Sequence, residues 1–377
     1  MASIRKRTWT TKGEEQTAWV VDYKDQSGKR ALKTFATKKD AEAWSVSALH
    51  EVSQGTHTRA SASKTVEETW NLWLEQCEAD KLEMGTIKQR RIHLKHHVGP
   101  FVGTVKLSDL STPFIYDFNT KLRQAGRSNA MRRKVITNLK TMLTFAQGRG
   151  LVAQNVARGV RIKMDDRDSA TGPLRAGVDF PSQPELNLLI DNAAPRWRPF
   201  IITALFTGMR LSELRGLRWA DIDLDAGVIH VRQRADQWGT MGPPKTRAGK
   251  RDIPLAPIVV NALRQWQPDA PKGELVFATR TGKPQPATNI HHHVWVPLLV
   301  KCGLTNEAGE HRYHFHLLRH AAASLFIAYL KWPPKRIQAV MGHGRITMTF
   351  DLYGHLFESV EADREDMKKL EAAVRAA

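Results

Sequence analysis

Five short stretches in the second half of the sequence carry residues that could act together on an anionic substrate. They are TGMRLSEL, PKTRAGKR, HLLRH, MGHG and TFDLYGH, and they hold Arg210, Lys245, His316, Arg319, His343 and Tyr353. His316 and Arg319 are three residues apart, so on a helix both project from one face. Each stretch alone is explained as well by a surface cap, a solvated turn or a helix end, and only the ordered set is informative.

These residue types suit the cleavage of a phosphodiester. The phosphate is already anionic and gains charge in the transition state, so two guanidinium groups with fixed donor forks are the expected stabilisers. Lysine or histidine can supply a proton, which arginine does not release. A tyrosine hydroxyl with an ordinary pKa near 10 costs roughly 4 kcal/mol to ionise at pH 7, and neighbouring cations lower this cost.

The charge of the chain favours a polyanionic partner. The 377 residues include 57 Lys+Arg and 38 Asp+Glu, which gives a formal net charge of +19. Residues 1–60 carry +4, residues 61–165 carry +9 and the remainder carries +6, so the middle segment is the most densely basic. Such an excess predicts nucleic acid as the partner, ahead of an anionic membrane surface.

Several other classes of protein are disfavoured. The longest mainly apolar run, residues 199–206, is far shorter than the ~20 residues of a membrane-spanning helix. No apolar segment follows the basic N-terminal residues, which argues against a secretory signal. Cys77 and Cys302 form no C-x-x-C pair, which fits packed thiols in a reducing compartment. We therefore expect a cytoplasmic protein without a membrane span.

The first sixty residues predict a small sheet backed by one helix. Strands are expected at residues 4–9, 17–23 and 32–35, followed by a helix that Thr37 caps. One face of the sheet is left free, and the basic residues near it are Arg5, Lys6, Arg7, Lys24, Lys29, Arg30 and Lys33. This face is either a surface that enters a DNA major groove or simply a solvated one, and charge alone does not decide between them.

The middle segment predicts a bundle of helices with basic outer faces. Thr65 and Glu68 form a capping-box pattern, Ser111 precedes a proline suited to a helix start, and further helices begin near Thr86 and Ser128. The basic residues of these helices are Lys88, Arg90, Arg91, Lys95, Arg132, Arg133, Lys134 and Lys140. Because several helices share one sign of charge, phosphate contact is favoured over a merely solvated surface.

The last segment predicts a mixture of helices and a small sheet. Ser182 and Glu185 form a second capping-box pattern, and an apolar helix is expected to end at Gly208. Strands are expected at residues 228–232 and 251–255, and helices at 257–266, 288–300, 316–328 and 334–341, with a charged helix at the C-terminus. Polar linkers at 53–63 and 164–178 divide the chain into predicted domains 1–60, 64–165 and 178–377.

Over about residues 180–358, the five stretches and their spacing resemble the tyrosine recombinase family, which includes the phage integrases. The basic bundle is similar to the SAM-like core-site-binding domain of that family, and the N-terminal sheet is similar to its arm-type DNA-binding domain. The resemblance implies a mainly α fold with small β-sheets in three domains, the last being a mixed α+β catalytic domain.

The resemblance also implies a role for each residue of the set. Tyr353 would be the nucleophile, Arg210 and Arg319 would hold the non-bridging phosphate oxygens, and His316 and His343 would support them. Lys245 would give a proton to the leaving oxygen. The implied activity is site-specific recombination through a 3′-phosphotyrosyl link, integrating or excising a mobile element, with no metal or other cofactor.

Three features bear on this resemblance. Leu317 stands where many relatives have aspartate, although the H-x-x-R spacing is kept. Asn155-Val156 replaces the Asn-Pro that is common before the interdomain linker. Glu213, three residues after Arg210, either orients that arginine or caps its own helix, and the sequence favours the structural role.

The expected partners are double-stranded DNA attachment sites and three further copies of the chain in a tetramer, with accessory DNA-bending proteins or an excision factor as further candidates. The apolar stripe of residues 354–377 packs either on a neighbouring subunit or on its own domain, and both alternatives remain open.

Three other functions are alternatives to that of an integrase. A Xer-type resolvase would lack the extra N-terminal domain, a transposon recombinase would share the chemistry, and a non-catalytic DNA-binding regulator would not need Arg319. A metal site is a weaker idea, drawn from His291, His292, His293, His311, His314, His316 and His320. No H-E-x-x-H glutamate accompanies these residues, and we expect His320 to pack or form a hydrogen bond beside Arg319.

Overall fold

The computed structural model describes residues 2–11, 14–24, 28–53, 63–163, 174–357 and residue 367. The chain forms two compact units, Met1–Ala170 and Thr171–Ala377. Most of both predicted linkers lie outside the described residues, as does the predicted C-terminal segment 354–377 apart from residues 354–357 and Met367. Within the described ranges, no helix has both the length and the apolar character needed to cross a membrane.

The first unit begins with the predicted sheet and helix. Strands β1 (Ser3–Thr11), β2 (Glu14–Lys24) and β3 (Arg30–Phe35) form an antiparallel sheet with β2 in the centre. Helix α1 (Lys38–Ser53) covers one face, where the Trp44 ring lies 5.1 Å from that of Tyr23. Aromatic packing on this side holds the helix against the sheet, and the predicted fold of this segment is confirmed.

The rest of the first unit is the predicted bundle of helices. Its helices are α2 (Val66–Ala79), α3 (Met84–His93), α4 (Gly99–Val102), α5 (Thr112–Gln124) and α6 (Asn129–Gly148). The capping box predicted at the start of α2 is present, since Thr65 Oγ1 accepts from the Glu68 amide at 3.2 Å and Glu68 Oε2 accepts from the Thr65 amide at 2.7 Å. Trp70 and Trp73, both buried, anchor α2 in the core of the bundle.

The second unit is the predicted mixture of helices and short strands. Its helices are α7 (Gln183–Asn192), α8 (Arg198–Thr207), α9 (Leu211–Arg215), α10 (Pro257–Trp266), α11 (Ala287–Ile290), α12 (Val296–Lys301), α13 (Leu317–Ala328), α14 (Pro334–Met341) and α15 (Thr347–Tyr353). Its strands are β4 (Ile222–Asp223), β5 (Val228–Val231), β6 (Arg234–Ala235), β7 (Met241–Gly242) and β8 (Arg251–Pro254).

The two strands predicted for this unit form its central antiparallel pair, β5 with β8, and β4 extends the sheet beyond β5. The sequence missed β4, β6 and β7 because a strand of two residues has no alternation to detect. The helix predicted over 288–300 is interrupted by a wide π-helical turn at His291–Trp295.

Helix α8 lies in the middle of the second unit. Nearly all its residues are buried, and it packs against both α10 and α13. It ends at Gly208, whose φ of +60° is the left-handed conformation that favours glycine. A Cβ at Gly208 would lie 2.8 Å from Met341 Sδ. The end of α8 is therefore pressed against the end of α14, and the two chain turns that follow these helices meet.

Candidate active site

Arg210 and Arg319, the two arginines predicted to hold the phosphate, lie where the turns after α8 and α14 meet. Arg319, in the first turn of α13, is 4% exposed and donates from Nη1 to the Gly208 carbonyl at 2.6 Å and from Nη2 to the Met341 carbonyl. Arg210 donates from Nη2 to the Gly342 carbonyl at 2.9 Å. Both guanidinium groups are thus fixed by backbone oxygens, which orients their remaining N–H groups.

Glu213 links Arg210 to a third arginine. Its carboxylate accepts from Arg210 Nη1 at 2.8 Å and from Arg251 Nη2 at 2.8 Å, and it also accepts from the Arg210 amide at 2.9 Å. Both roles weighed for Glu213 are therefore present: it caps α9 and orients Arg210. Burial raises the pKa of Glu213, but the hydrogen bond and charge of Arg251 and the charge of Arg210 outweigh burial and bring that pKa to about 2.

Arg251 is the residue of this cluster that sequence reasoning missed. The stretch PKTRAGKR, which ends at Arg251, is compatible with a solvated turn by sequence, yet Arg251 is 8% exposed. The pattern in the sequence that could have indicated a buried Arg251 is strand alternation, because Arg251 and Ile253 lie on the same buried face of β8. A buried arginine at such a position requires a buried carboxylate partner, and Glu213 supplies it.

Tyr353 is the last residue of α15 and is 1% exposed. Its hydroxyl oxygen lies 2.6 Å from Nδ1 of His320, so the hydrogen-bonding role predicted for His320 is confirmed. Burial raises the pKa of Tyr353 well above its usual value, and the charge of Arg319 offsets this only in part. The cationic surroundings therefore do not ionise this tyrosine by themselves, contrary to the simplest expectation.

The two predicted histidines are neutral at pH 7. Burial and the charges of Arg319, Arg210 and Arg251 lower the pKa of His343 to about 3. His343 Nδ1 lies 2.9 Å from Thr349 Oγ1, which fixes the ring. His316 is exposed by surface area, but many protein atoms surround its ring. The resulting desolvation, together with the charges of Arg319 and Arg210, lowers the pKa of His316. Both histidines can serve as hydrogen-bonding groups.

Lys245 differs from the buried members of the set in its exposure. It occupies an exposed position in the connection between β7 and β8. Its role as the proton donor stays a prediction.

The N-terminal sheet divides the predicted basic residues between its two faces. The register places Arg5, Arg7 and Lys24 on the face away from α1. Lys6 and Lys33 are paired with Trp19 and Val21 on the helix side, which differs from the single basic face expected. Lys33 Nζ lies 4.8 Å from the centre of the Trp44 ring, so cation–π packing explains its position.

The helical bundle also places part of its predicted basic surface in packing contacts. Exposed positions are held by Lys88, Arg91, Lys95, Arg133 and Lys134. Arg132, expected on the outer face, is 5% exposed and donates to Asn119 Oδ1 at 3.2 Å, so that expectation was wrong. The Arg90 guanidinium lies 4.1 Å from the centre of the Trp73 ring, and Lys140 donates to the Val160 carbonyl.

The histidine-rich stretches pack ring against ring. The centres of the His291 and His311 rings are 5.3 Å apart, and those of His311 and His314 are 5.7 Å apart. In the described part of the chain, no group of three or more histidine, cysteine, aspartate or glutamate residues is arranged to hold a metal ion.

The fold and this cluster define the class of the protein. Residues 182–359 match the model of the phage integrase family, and residues 65–123 match that of the phage integrase N-terminal SAM-like domain. A relative described as a XerC-like tyrosine recombinase, from Caldanaerobacter subterraneus subsp. tengcongensis, is 24% identical over 365 residues, covering 88% of this chain and 90% of that protein. The chain therefore belongs to the phage integrase family of tyrosine recombinases, and its function is that of a site-specific DNA recombinase.

Solved structures show the same fold. The Tn1549 transposon integrase in complex with a circular intermediate DNA is 20% identical, with a TM-score of 0.66, and the match covers 82% of this chain and 100% of that one. A lambda integrase tetramer bound to a Holliday junction is 18% identical, with a TM-score of 0.58 and coverage of 87% and 94%. At these identities the likeness extends to the fold alone.

Proposed function

We propose that this recombinase cuts and rejoins one DNA strand at a time through a covalent 3′-phosphate bond to Tyr353. The observation that carries the proposal is the fixing of Arg210 and Arg319 on the adjoining turns after α8 and α14, with Tyr353 close enough to Arg319 for their charges to interact. Two guanidinium groups from distant parts of the chain meet at adjoining turns, and the Tyr353 hydroxyl lies within electrostatic reach of Arg319, an arrangement suited to attack on a phosphodiester.

In this proposal, the N–H groups of Arg210 and Arg319 that the carbonyls leave available bind the non-bridging phosphate oxygens. The Tyr353 oxygen attacks phosphorus, the bond to the 5′ oxygen breaks, and Lys245 gives that oxygen a proton. Neutral His316 and His343 donate or accept hydrogen bonds without adding charge. A second 5′ hydroxyl reverses the reaction, so that rejoining needs no ATP.

Tyr353 must become accessible for this reaction, because its side chain is almost fully buried. Helix α15 is a short element close to the end of the described part of the second unit, which continues to residue 357 and includes residue 367 beyond it. We propose that loading of DNA rearranges the residues that cover this hydroxyl, so that the phosphate reaches it while Tyr353 stays in contact with His320.

The substrate proposed is double-stranded DNA carrying the attachment sites of a mobile element, and the reaction takes place in the cytoplasm. Residues 1–60 would bind arm-type sites, 64–165 the core site, and 178–377 would carry the chemistry. The solved lambda integrase tetramer on a Holliday junction supports a tetramer as the working assembly. Accessory proteins that bend DNA or direct excision are further proposed partners.

The test uses a suicide DNA substrate with the ends of the element, in which the cleaved strand cannot be rejoined. We expect the full chain to form a covalent protein–DNA adduct and Tyr353→Phe to form none while binding DNA as well as the parent. The matched control is Tyr329→Phe, because Tyr329 is 63% exposed. Adduct formation by Tyr353→Phe would remove Tyr353 from the role of nucleophile.

A further inference from the structure

His320 is the polar side chain in contact with the hydroxyl that the proposed reaction uses. It follows Arg319 on α13, and its Nδ1 lies 2.6 Å from the Tyr353 hydroxyl oxygen. Its ring centre is 5.8 Å from that of Tyr353 and 5.4 Å from that of His316. His320 is thus held between the proposed nucleophile and the H-x-x-R pair, at a position to which the roles implied by the family resemblance assign nothing.

The protonation of His320 suits a proton acceptor. Burial and the charges of His316 and Arg319 lower the pKa of His320 to about 4, and His343 also faces it, so the imidazole is neutral at pH 7. A neutral imidazole has one nitrogen with a free lone pair. When Nδ1 is that nitrogen, the Tyr353 hydroxyl donates its proton directly toward it.

Building on the proposed function, we propose that His320 is the general base of strand cleavage. As the Tyr353 oxygen bonds to phosphorus, its proton moves to His320 Nδ1, while the bond from phosphorus to the 5′ oxygen breaks and that oxygen takes a proton from Lys245. Rejoining reverses each transfer, and His320 returns the proton to Tyr353. The imidazolium that forms lies near the DNA phosphate, whose negative charge stabilises it.

The other candidate bases are less well placed. His343 Nδ1 is bonded to Thr349 Oγ1. The guanidinium groups of Arg210 and Arg319 stay protonated and have no acceptor. A base in contact with Tyr353 is needed, because burial raises the pKa of this hydroxyl and a free phenolate is correspondingly rare.

The first experiment measures single-turnover adduct formation on the suicide substrate at pH 7 for the parent, His320→Ala and His320→Asn. An asparagine oxygen can occupy the place of Nδ1 and accept the hydrogen bond, but it cannot keep the proton. We expect both variants to lose on the order of 10²–10⁴-fold in rate and to bind DNA as the parent does. The control is His293→Ala, at an exposed position. A parent-like rate in either His320 variant would overturn the proposal.

The second experiment separates the base from the acid. In a substrate whose leaving 5′ oxygen is replaced by sulfur, the thiolate departs without a proton. We expect Lys245→Ala to approach the parent rate on this substrate and His320→Ala to keep its full defect, whereas recovery of His320→Ala would overturn its role as the base. An absence of any Tyr353-dependent adduct in the parent would refute the proposed function itself. A Tyr353-dependent adduct with unaffected His320 variants would refute this inference alone.

Discussion

The buried carboxylate of Glu213 offers a quantitative test of how the site is held together. The substitution Glu213→Gln keeps the size of the side chain and an oxygen that can cap α9, but it removes the charge between Arg210 and Arg251. The pKa of Glu213 is about 2, against an ordinary value of 4.5. Each unit of pKa corresponds to about 1.4 kcal/mol. Lowering the pKa from 4.5 to about 2 therefore means that the charged carboxylate stabilises the folded state by ~3 kcal/mol at pH 7.

The sign of the pH dependence follows from the direction of this change in pKa. A carboxyl with a depressed pKa stabilises the fold above its unfolded value of 4.5, and that stability is lost as the pH falls through about 2. The neutral glutamine has no such dependence. The difference in unfolding free energy between the parent and Glu213→Gln should therefore be ~3 kcal/mol at pH 7 and shrink toward zero near pH 2.

The assay is urea unfolding of the full chain between pH 7 and pH 2, with hydrogen exchange of the peptides around residue 213 to assign the transition. Glu307→Gln is the matched control, since Glu307 is exposed and its substitution should change stability by less than ~0.5 kcal/mol. A difference for Glu213→Gln that is the same at pH 2.5 and pH 7 would refute the reasoning, because the charge would then not be its source.

Three further predictions concern groups that position the site. Arg319→Lys replaces the rigid fork that donates from two nitrogens to the Gly208 and Met341 carbonyls with a single ammonium nitrogen, so adduct formation should fall about 100-fold or more with DNA binding kept. Thr349→Val removes the partner of His343 Nδ1, and single-turnover cleavage should slow about tenfold, whereas Thr349→Ser should keep the parent rate. Gly208→Ala places a Cβ on a residue with a left-handed φ and 2.8 Å from Met341 Sδ. The free energy of unfolding should therefore fall by about 1–3 kcal/mol, which a lower melting temperature would show.

Each of these has an outcome that contradicts it. Parent-like cleavage by Arg319→Lys would mean that a single positive charge suffices at this position. Equal rates for Thr349→Val and Thr349→Ser would remove the hydroxyl from the support of His343. Gly303→Ala is the control for Gly208→Ala, because Gly303 has a φ of +69° with nothing within 4 Å of an added Cβ. If both glycine variants melted alike, the contact with Met341 would contribute nothing.

Local features of the fold were predictable wherever neighbouring residues alone decide the conformation. The capping box of Thr65 and Glu68 and the end of α8 at Gly208 depend on hydrogen bonds and backbone angles within a few residues, and the sequence predicts both. The same holds for the H-x-x-R spacing, which the helical period fixes. The residue types of the proposed site follow from a related restriction, since phosphate chemistry limits the useful side chains to a few types.

The partners of these side chains were decided by the tertiary structure. Glu213 and Arg251 are 38 residues apart, and His320 and Tyr353 are 33 apart, so no local period relates them. The sequence is compatible with Arg132 either on an outer face or in a buried contact between helices. The position of Asn119 on the neighbouring helix decides between these two. The sequence alone thus determined which chemical groups the protein has and which helices carry them. Packing decided which cations are paired, which are buried and which group contacts the tyrosine hydroxyl, because those energies depend on distances between segments far apart in the chain.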